Sequence, residues 1–329
     1  MSDSLPLLWT DVPLHADALE LLRGRALLAG PGVPAAVAAN PVFEFEAAAA
    51  AIVGARRRFD AAALARAPDL KIIARTGIGY DNVDVPAASA AGVSVVNTPE
   101  APTESTAEFA VALMFAVARR IATADQNCKQ GRWQVDPAVL GFDLAGKTLG
   151  LVGFGRIARR VAEIARAIRM RVCVFDPFIA ASAITETGAV PCATLPELLA
   201  GARVLSLHAP LGPTTRRLIG AEQLALLPRG AVLINTARGP LIDEAAVLAA
   251  LESGELAGAG LDVWETEPAA PGHPLLRHPR VVATPHIAYY TSEGLRRSHV
   301  AAAEFVLAAL RGEPPATLLD PAMWARRRS

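Results

Sequence analysis

Four polar residues in the second half of this chain stand immediately beyond apolar runs, and their types are those of acid–base and anion-binding chemistry. Arg238 follows Val232-Leu233-Ile234-Asn235-Thr236-Ala237; Asp262 and Glu267 follow Ala259-Gly260-Leu261; His286 follows Val281-Val282-Ala283-Thr284-Pro285. In open parallel sheets, ligands bind beyond the carboxyl ends of the strands. If the runs are strands, a guanidinium, two carboxylates and an imidazole converge on one edge. Each has a plainer reading: a histidine after a strand as a capped structural residue, Arg-Gly as a turn, Glu267-Pro268 as a loop start. Their convergence gives the site the greater weight. His208, after Val204–Leu207, shares the edge and reads as a structural or cofactor-loop residue, because Ala209-Pro210 begins a turn.

What such an edge would hold is written between residues 149 and 176. An apolar run (Leu149, Leu151, Val152) reaches Gly153-Phe154-Gly155, a helical pattern follows through Ile157, Val161 and Ile164, and a second run, Val172 to Phe175, ends on Asp176. Strand, glycine turn, helix, strand and acid, in that order, make a dinucleotide site. Gly153 permits the tight turn, and Gly155 lets the backbone approach a pyrophosphate seated at a helix N-terminus. Ala158 takes the third small position, where helix and strand meet closely. A carboxylate at Asp176 suits the two ribose hydroxyls and repels a 2′-phosphate, so the reading is NAD rather than NADP.

The elements that must position these residues follow from the alternation of apolar runs and helical stretches. Strands are expected at 149–153, 171–175, 203–207, 231–235, 257–262 and 280–283, and helices at 155–168, 195–200, 221–227, 243–253 and 292–310. That alternation implies a doubly wound parallel sheet. Residues before 100 repeat the pattern on a smaller scale, with strands at 26–28, 51–53, 71–74 and 93–96 and helices at 61–67 and 86–91. The fold class is therefore α/β, with two Rossmann-like or flavodoxin-like domains. Between them a helix is expected over 103–121, apolar on two sides, as if buried against something further such as a second subunit.

Bulk properties exclude several alternatives. With 329 residues the chain is long enough for two domains, and 32 basic side chains balance 32 acidic ones. That neutrality argues against nucleic acid, and Arg56-Arg57-Arg58 and Arg326-Arg327-Arg328 read as solvated runs. Cys128, Cys173 and Cys192 are too widely spaced for a disulfide framework or a metal cluster, so no metal is expected. No signal peptide or apolar stretch of membrane-spanning length is found, which predicts a cytoplasmic protein with no membrane partner.

Five segments together resemble the D-2-hydroxyacid dehydrogenases, phosphoglycerate dehydrogenase-like members above all. They are Arg75-Thr76-Gly77-Ile78-Gly79-Tyr80-Asp81-Asn82-Val83-Asp84, Gly153-Phe154-Gly155-Arg156-Ile157-Ala158, Asn235-Thr236-Ala237-Arg238-Gly239, Leu261-Asp262-Val263-Trp264-Glu265-Thr266-Glu267-Pro268 and Thr284-Pro285-His286. The resemblance implies an NAD-dependent oxidoreductase acting on a small 2-keto or 2-hydroxy acid. It implies catalytic roles for Arg238 (binding the substrate carboxylate and polarising the keto oxygen), His286 (acid/base) and Glu267 (its paired carboxylate). Cofactor contacts would come from Thr106, Gly153, Phe154, Gly155, Arg156, Ile157, Asp176, His208, Ala237, Arg238, Asp262 and His286, with Asp262 near the nicotinamide amide. Substrate contacts would come from Arg75, Gly77, Ile78, Gly79, Arg238, His286 and Tyr289. The family fold is discontinuous, which implies a substrate-binding domain of residues 1–100 plus 287–329, an NAD-binding domain of 101–286, and a homodimer.

The implied roles make chemical sense. A histidine titrates near neutral pH, as a proton donor to a keto oxygen should. A paired carboxylate favours its imidazolium form, and the planar guanidinium fork matches a carboxylate. The chain departs from phosphoglycerate dehydrogenases at Val53-Gly54-Ala55-Arg56-Arg57-Arg58, where many of them carry an Arg-Ser pair. It departs again at Tyr289-Tyr290, which looks more like the C-terminal-binding proteins. An NAD(H)-responsive interaction protein is therefore the alternative reading.

Overall fold

The computed structural model describes residues 5–34, 45–133, 135 and 137–328. The chain divides into two compact units: unit 1 comprises Met1–Pro102 and Tyr290–Ser329, and unit 2 comprises Thr103–Tyr289.

Unit 1 contains β1 (Leu7–Thr10), α1 (Ala16–Leu22), β2 (Leu27–Ala29), β3 (Ala50–Val53), α2 (Ala61–Ala65), β4 (Ile72–Arg75), α3 (Val85–Ala90) and β5 (Ser94–Asn97). The strands form a parallel sheet in the order β2-β1-β3-β4-β5, the flavodoxin-like winding. Both faces are covered, so β3 and β4 are apolar almost throughout rather than alternating. One face packs on Leu14, Ala18 and Leu22 around α1, together with Ala302, Ala303 and Val306 from the end of the chain. The other holds Trp9, Phe45 and Phe59, whose rings meet edge to face at centroid distances of 5.0–6.5 Å.

Unit 2 runs α4 (Thr103–Ala118), α5 (Ile121–Lys129), β6 (Thr148–Val152), α6 (Arg156–Ala167), β7 (Arg171–Phe175), α7 (Ala181–Thr185), β8 (Val190–Pro191), α8 (Leu195–Gly201) and β9 (Val204–Leu207). It continues with α9 (Ala221–Ala225), β10 (Ala231–Asn235), α10 (Glu244–Ser253), β11 (Leu256–Leu261), α11 (Pro274–Arg277) and β12 (Val281–Ala283). Its sheet is parallel, in the order β12-β11-β10-β9-β6-β7-β8. The winding reverses between β6 and β9, the switch point at which such sheets bind dinucleotides. The last helix, α12 (Ser292–Leu310), returns to unit 1 and packs on α1, β3, β4 and β5. Thr291 caps it by accepting the Gly294 N–H.

One expectation requires correction. The single helix expected over 103–121 is two helices, because Arg120 adopts a left-handed conformation (φ 53°) and turns the chain between α4 and α5. α4 itself packs against α6 on one side and β10, β11 and β12 on the other. Cys173 is buried in β7 as a small apolar side chain. Among the described residues no cluster of metal-ligating side chains occurs, and no helix is long and apolar enough to cross a membrane.

Candidate active site

At the switch point, β6 is followed by Gly153, whose φ of 87° favours glycine. A Cβ there would lie 2.9 Å from the backbone of His208 and Ala209, so the turn after β6 and the turn after β9 can touch only because this residue has none. Gly155 starts α6 without a side-chain cap, so the first N–H groups of that helix are left for a ligand. Asp176 is fixed at the end of β7: Oδ2 accepts the Phe154 N–H (2.8 Å) and Oδ1 the Phe178 N–H (2.9 Å). The acid is thereby tied to the glycine turn itself. Ala158 is fully buried, as a close helix–strand contact demands, and the Arg159 guanidinium lies over the Phe154 ring at 4.9 Å. This turn, small residue and carboxylate fit the dinucleotide the sequence implies. His208 Nε2 lies 2.9 Å from Ser206 Oγ, and burial pushes its pKa down to about 4, so this imidazole is neutral.

Beyond β10, Asn235 organises the turn, accepting the Ala237 N–H (3.1 Å) and donating to the Arg238 carbonyl (2.9 Å). Arg238 Nη1 donates to the Ala237 carbonyl at 2.6 Å. Gly239 is obligatory, since a Cβ there would lie 1.9 Å from the Trp264 carbonyl carbon.

Asp262 is the hub of the neighbouring loops. Its side chain is fully buried; Oδ1 accepts from Thr284 Oγ1 (2.6 Å) and the Ile287 N–H (2.9 Å), and Oδ2 accepts the Ala288 N–H (2.8 Å). Its carbonyl accepts the His286 N–H at 2.7 Å. These bonds straddle His286, which sits at φ 58°, a conformation that a histidine holds only when its surroundings fix it. His286 Nδ1 lies 2.7 Å from Glu267 Oε2, and Glu267 Oε1 accepts the Trp264 N–H at 3.1 Å. Burial works to raise the Glu267 pKa, but the hydrogen bond and charge of His286, the Trp264 N–H and the charge of Arg238 outweigh it. The net shift is downward. Glu267 is therefore an ionised acceptor, which places the proton on His286 Nδ1 and turns Nε2 away from the pair. The Tyr289 ring stands edge-on to the imidazole at 6.5 Å. A second pair, His273 Nε2 and Glu244 Oε2 at 3.0 Å, lies beside this loop, and Glu244 also accepts the Glu265 N–H.

In unit 1, the loop after β4 is anchored to β5 and α12. The Gly77 N–H donates to Thr98 Oγ1 (2.7 Å), which also bonds Ser298 Oγ (2.8 Å), and Asn97 Nδ2 donates to the Ile78 carbonyl (2.7 Å). Arg75 is buried and donates to the Thr76 carbonyl. Arg57 does not extend freely: its guanidinium stacks on the Trp9, Phe45 and Phe59 rings at 4.9–5.9 Å.

Within unit 2 the fold thus joins Gly153, Phe154, Gly155 and Asp176 in one turn, brings His208 against it, and pairs His286 with Glu267 in the field of Arg238. Thr106 is buried on α4. Arg75, Gly77, Ile78 and Gly79 belong to unit 1. The sequence reading missed Asp262 as a clamp and Glu244 as a loop support; the apolar surroundings of Asp262 were the available signal.

The family model of the D-isomer specific 2-hydroxyacid dehydrogenase, NAD binding domain, matches residues 111–288. The chain is 42% identical over 264 residues to a glyoxylate reductase of Korarchaeum cryptofilum, covering 79% of each protein. It is 37% identical over 304 residues to a D-3-phosphoglycerate dehydrogenase of Archaeoglobus fulgidus, covering 92% of this chain but only 57% of that one. The fold matches the TT0316 protein of Thermus thermophilus with a TM-score of 0.85 and 38% identity, over 95% of this chain and 99% of the other. A D-lactate dehydrogenase from Aquifex aeolicus, solved with NAD and lactic acid, gives a TM-score of 0.83 at 29% identity, over 95% and 98%. The chain belongs to the D-isomer-specific 2-hydroxyacid dehydrogenase family, and NAD is its cofactor.

Proposed function

We propose that this chain reversibly reduces a small 2-keto acid to the D-2-hydroxy acid. The observation that carries the proposal is the His286–Glu267 pair, 2.7 Å apart and locked by the buried Asp262. NAD supplies or accepts the hydride. His286 holds the proton that goes to the keto oxygen, and Glu267 stabilises its imidazolium form. Arg238 binds the substrate carboxylate with a two-pronged guanidinium contact. In unit 1 the loop Gly77-Ile78-Gly79 carries backbone N–H groups suited to a carboxylate; the Gly77 N–H is already given to Thr98, so Ile78 and Gly79 are the better donors. Asp176 receives the adenosine ribose, Thr106, Arg156, Ile157 and Ala237 line the cofactor, and Asp262 serves by holding the His286 turn. Tyr289 walls the substrate side.

The substrate we favour is unphosphorylated, of the glyoxylate or hydroxypyruvate kind. Arg57 is committed to three aromatic rings, and the Asp11 carboxyl accepts the Gly54 N–H at 2.7 Å. An acid at that loop disfavours a phosphate. We further propose a cytoplasmic homodimer, supported by apolar side chains left on the surface along α5 and the segment after it: Ile121, Trp133, Val135 and Leu140. The test is NADH oxidation against glyoxylate, hydroxypyruvate, phosphohydroxypyruvate and phenylpyruvate. His286→Ala should lower turnover by at least about 100-fold with NADH affinity unchanged; near-normal turnover would remove His286 from the mechanism. Tight NADH binding without turnover on any substrate would favour the interaction-protein reading instead.

A further inference from the structure

Three loops at the carboxyl edge of the unit 2 sheet carry the residues given to the reaction. The loop after β10 carries Arg238, the loop after β11 carries Asp262 and Glu267, and the loop after β12 carries His286. Side chains on separate loops keep a fixed spacing only if the loops are tied to one another. Asp262 ties the second loop to the third through Thr284, Ile287 and Ala288. The tie between the first and the second is Glu244, a side chain to which the proposed chemistry gives no part.

Glu244 opens α10, whose start is fixed by Asp243 accepting the Ala245 and Ala246 N–H groups. A carboxylate in a first helical turn also suits the helix dipole. Glu244 Oε1 accepts the Glu265 N–H at 2.8 Å, and Oε2 lies 3.0 Å from His273 Nε2. Both donors belong to the loop after β11, so one largely buried carboxylate grips that loop at two points, with charge-assisted bonds. His273 is itself held: its N–H donates to the Ala270 carbonyl at 2.9 Å, and its ring stands edge-on to Trp264 at 5.7 Å. Its Nδ1 is buried without a hydrogen-bond partner, which suits the tautomer that carries its proton on Nε2, toward Glu244.

The peptide that Glu244 grips lies between the two halves of the site. On one side is Gly239, the neighbour of Arg238, so close that a Cβ there would stand 2.5 Å from the Glu265 nitrogen. On the other, Trp264 donates its N–H to Glu267 Oε1 at 3.1 Å and its indole N–H to the Thr284 carbonyl at 3.0 Å. The Trp264–Glu265 peptide is thus the spacer between the Arg238 turn and the Glu267–His286 pair. Arg217 also reaches Glu265, through its side chain at 3.3 Å, but that ion pair is exposed and contributes little.

We propose that Glu244, supported by His273, is a positioning residue for the reaction. By stapling the two loops it sets the spacing between the guanidinium that binds the substrate carboxylate and the imidazole that protonates the keto oxygen. The proposal rests on the dehydrogenase reading of Arg238, Glu267 and His286. A keto acid held by Arg238 must offer its carbon to the hydride and its oxygen to His286 at the same time, and a misplacement of about 1 Å costs on the order of 100-fold in rate. Glu244 acts through the peptide it holds rather than by touching the reacting atoms.

The test compares full-chain variants with the parent, using NADH and the keto acid the parent reduces fastest, at a temperature where circular dichroism shows each variant folded. Glu244→Ala should lower kcat at least about ten-fold with NADH affinity unchanged. It should also express in full the primary isotope effect of NADH deuterated at the transferred position, because hydride transfer is then the slow step. Glu244→Gln keeps an acceptor for the Glu265 N–H and should recover most of the lost kcat. His273→Phe keeps a ring against Trp264 but gives Glu244 no donor, and should show a smaller loss in the same direction. Arg217→Gln should match the parent. Amide hydrogen exchange, which needs no substrate, should quicken in Glu244→Ala over 236–243 and 262–268 together, with 153–155 unchanged. The proposal is overturned if the alanine variant only melts lower while kcat stays intact, if glutamine restores nothing, or if the two loops exchange as in the parent. A parent that binds NADH but reduces no keto acid refutes the dehydrogenase reading instead, and the exchange measurement then decides the staple by itself.

Discussion

Replacing Asp262 with asparagine changes one oxygen into an NH2 group and should disable the loop that presents His286. In the native chain three donors converge on this buried carboxylate at 2.6–2.9 Å. An asparagine can keep its oxygen toward Thr284 and Ile287, but its NH2 then confronts the Ala288 N–H, donor against donor. One charge-assisted bond is lost, worth about 2 kcal/mol, and the other two become neutral, at a cost of about 0.5 kcal/mol each. The sum is about 3 kcal/mol. For a unit of this size that corresponds to a melting point lower by about 6–12 °C. The His286 turn at φ 58° loses the bonds that straddle it, so turnover should fall by more than stability alone explains at a temperature where the variant is folded. Urea unfolding followed by circular dichroism gives the first quantity, and steady-state kinetics well below the melting point the second. A variant less than about 1 kcal/mol destabilised, with turnover intact, would refute the assignment of Asp262 as the clamp of the catalytic loop.

Two further outcomes follow from the same geometry. Glu267→Gln leaves His286 Nδ1 a hydrogen-bond acceptor but removes the charge that stabilises the imidazolium. kcat/KM for the keto acid should fall at least about ten-fold, and the basic limb of its pH profile should move to lower pH; an unchanged profile would separate Glu267 from the proton donor. At acid pH, His299 should help to loosen unit 1: its Nδ1 accepts the His15 N–H at 3.0 Å, and burial, then the charge of His15, holds its pKa down to about 4. Because the folded value lies below the ordinary one, this contribution is complete above about pH 6.5 and is lost as pH falls from there toward 4. The loss is on the order of 3 kcal/mol, and unfolding free energies of the parent and His299→Asn measured across that range should converge toward the acid end.

The parts of the fold visible in the sequence are those whose signal is local. β6, the glycine turn, α6, β7 and Asp176 lie within thirty residues and follow one hydrophobic pattern, so both the elements and their purpose can be read from it. The pairing of His286 with Glu267 came only from resemblance, because nothing in the stretch between them, a separation of 19 positions, specifies that their loops fold face to face. β1, Leu7–Thr10, and the two-residue β8 were not expected from the sequence, although β2, shorter than β1, was. The break at Arg120 carries no glycine or proline; it is imposed by tertiary packing. Asp262 was seen as a polar residue at a strand end, but its three backbone and hydroxyl donors arrive from residues more than twenty positions away.

The course of the chain has one more consequence. Unit 2 is a single continuous stretch, whereas the sheet of unit 1 takes the core side chains Ala302, Ala303, Val306 and Leu307 from α12, near the end of the sequence. During synthesis every strand of both sheets therefore emerges before the apolar face formed by Leu8, Ile52, Ile72 and Val96, which α1 covers only in part, can be fully covered. The cofactor-binding half can assemble on the ribosome while the first hundred residues wait. A chain interrupted before α12 would carry a complete nucleotide site beside an unsealed apolar sheet, a form that protein quality control is built to recognise and remove.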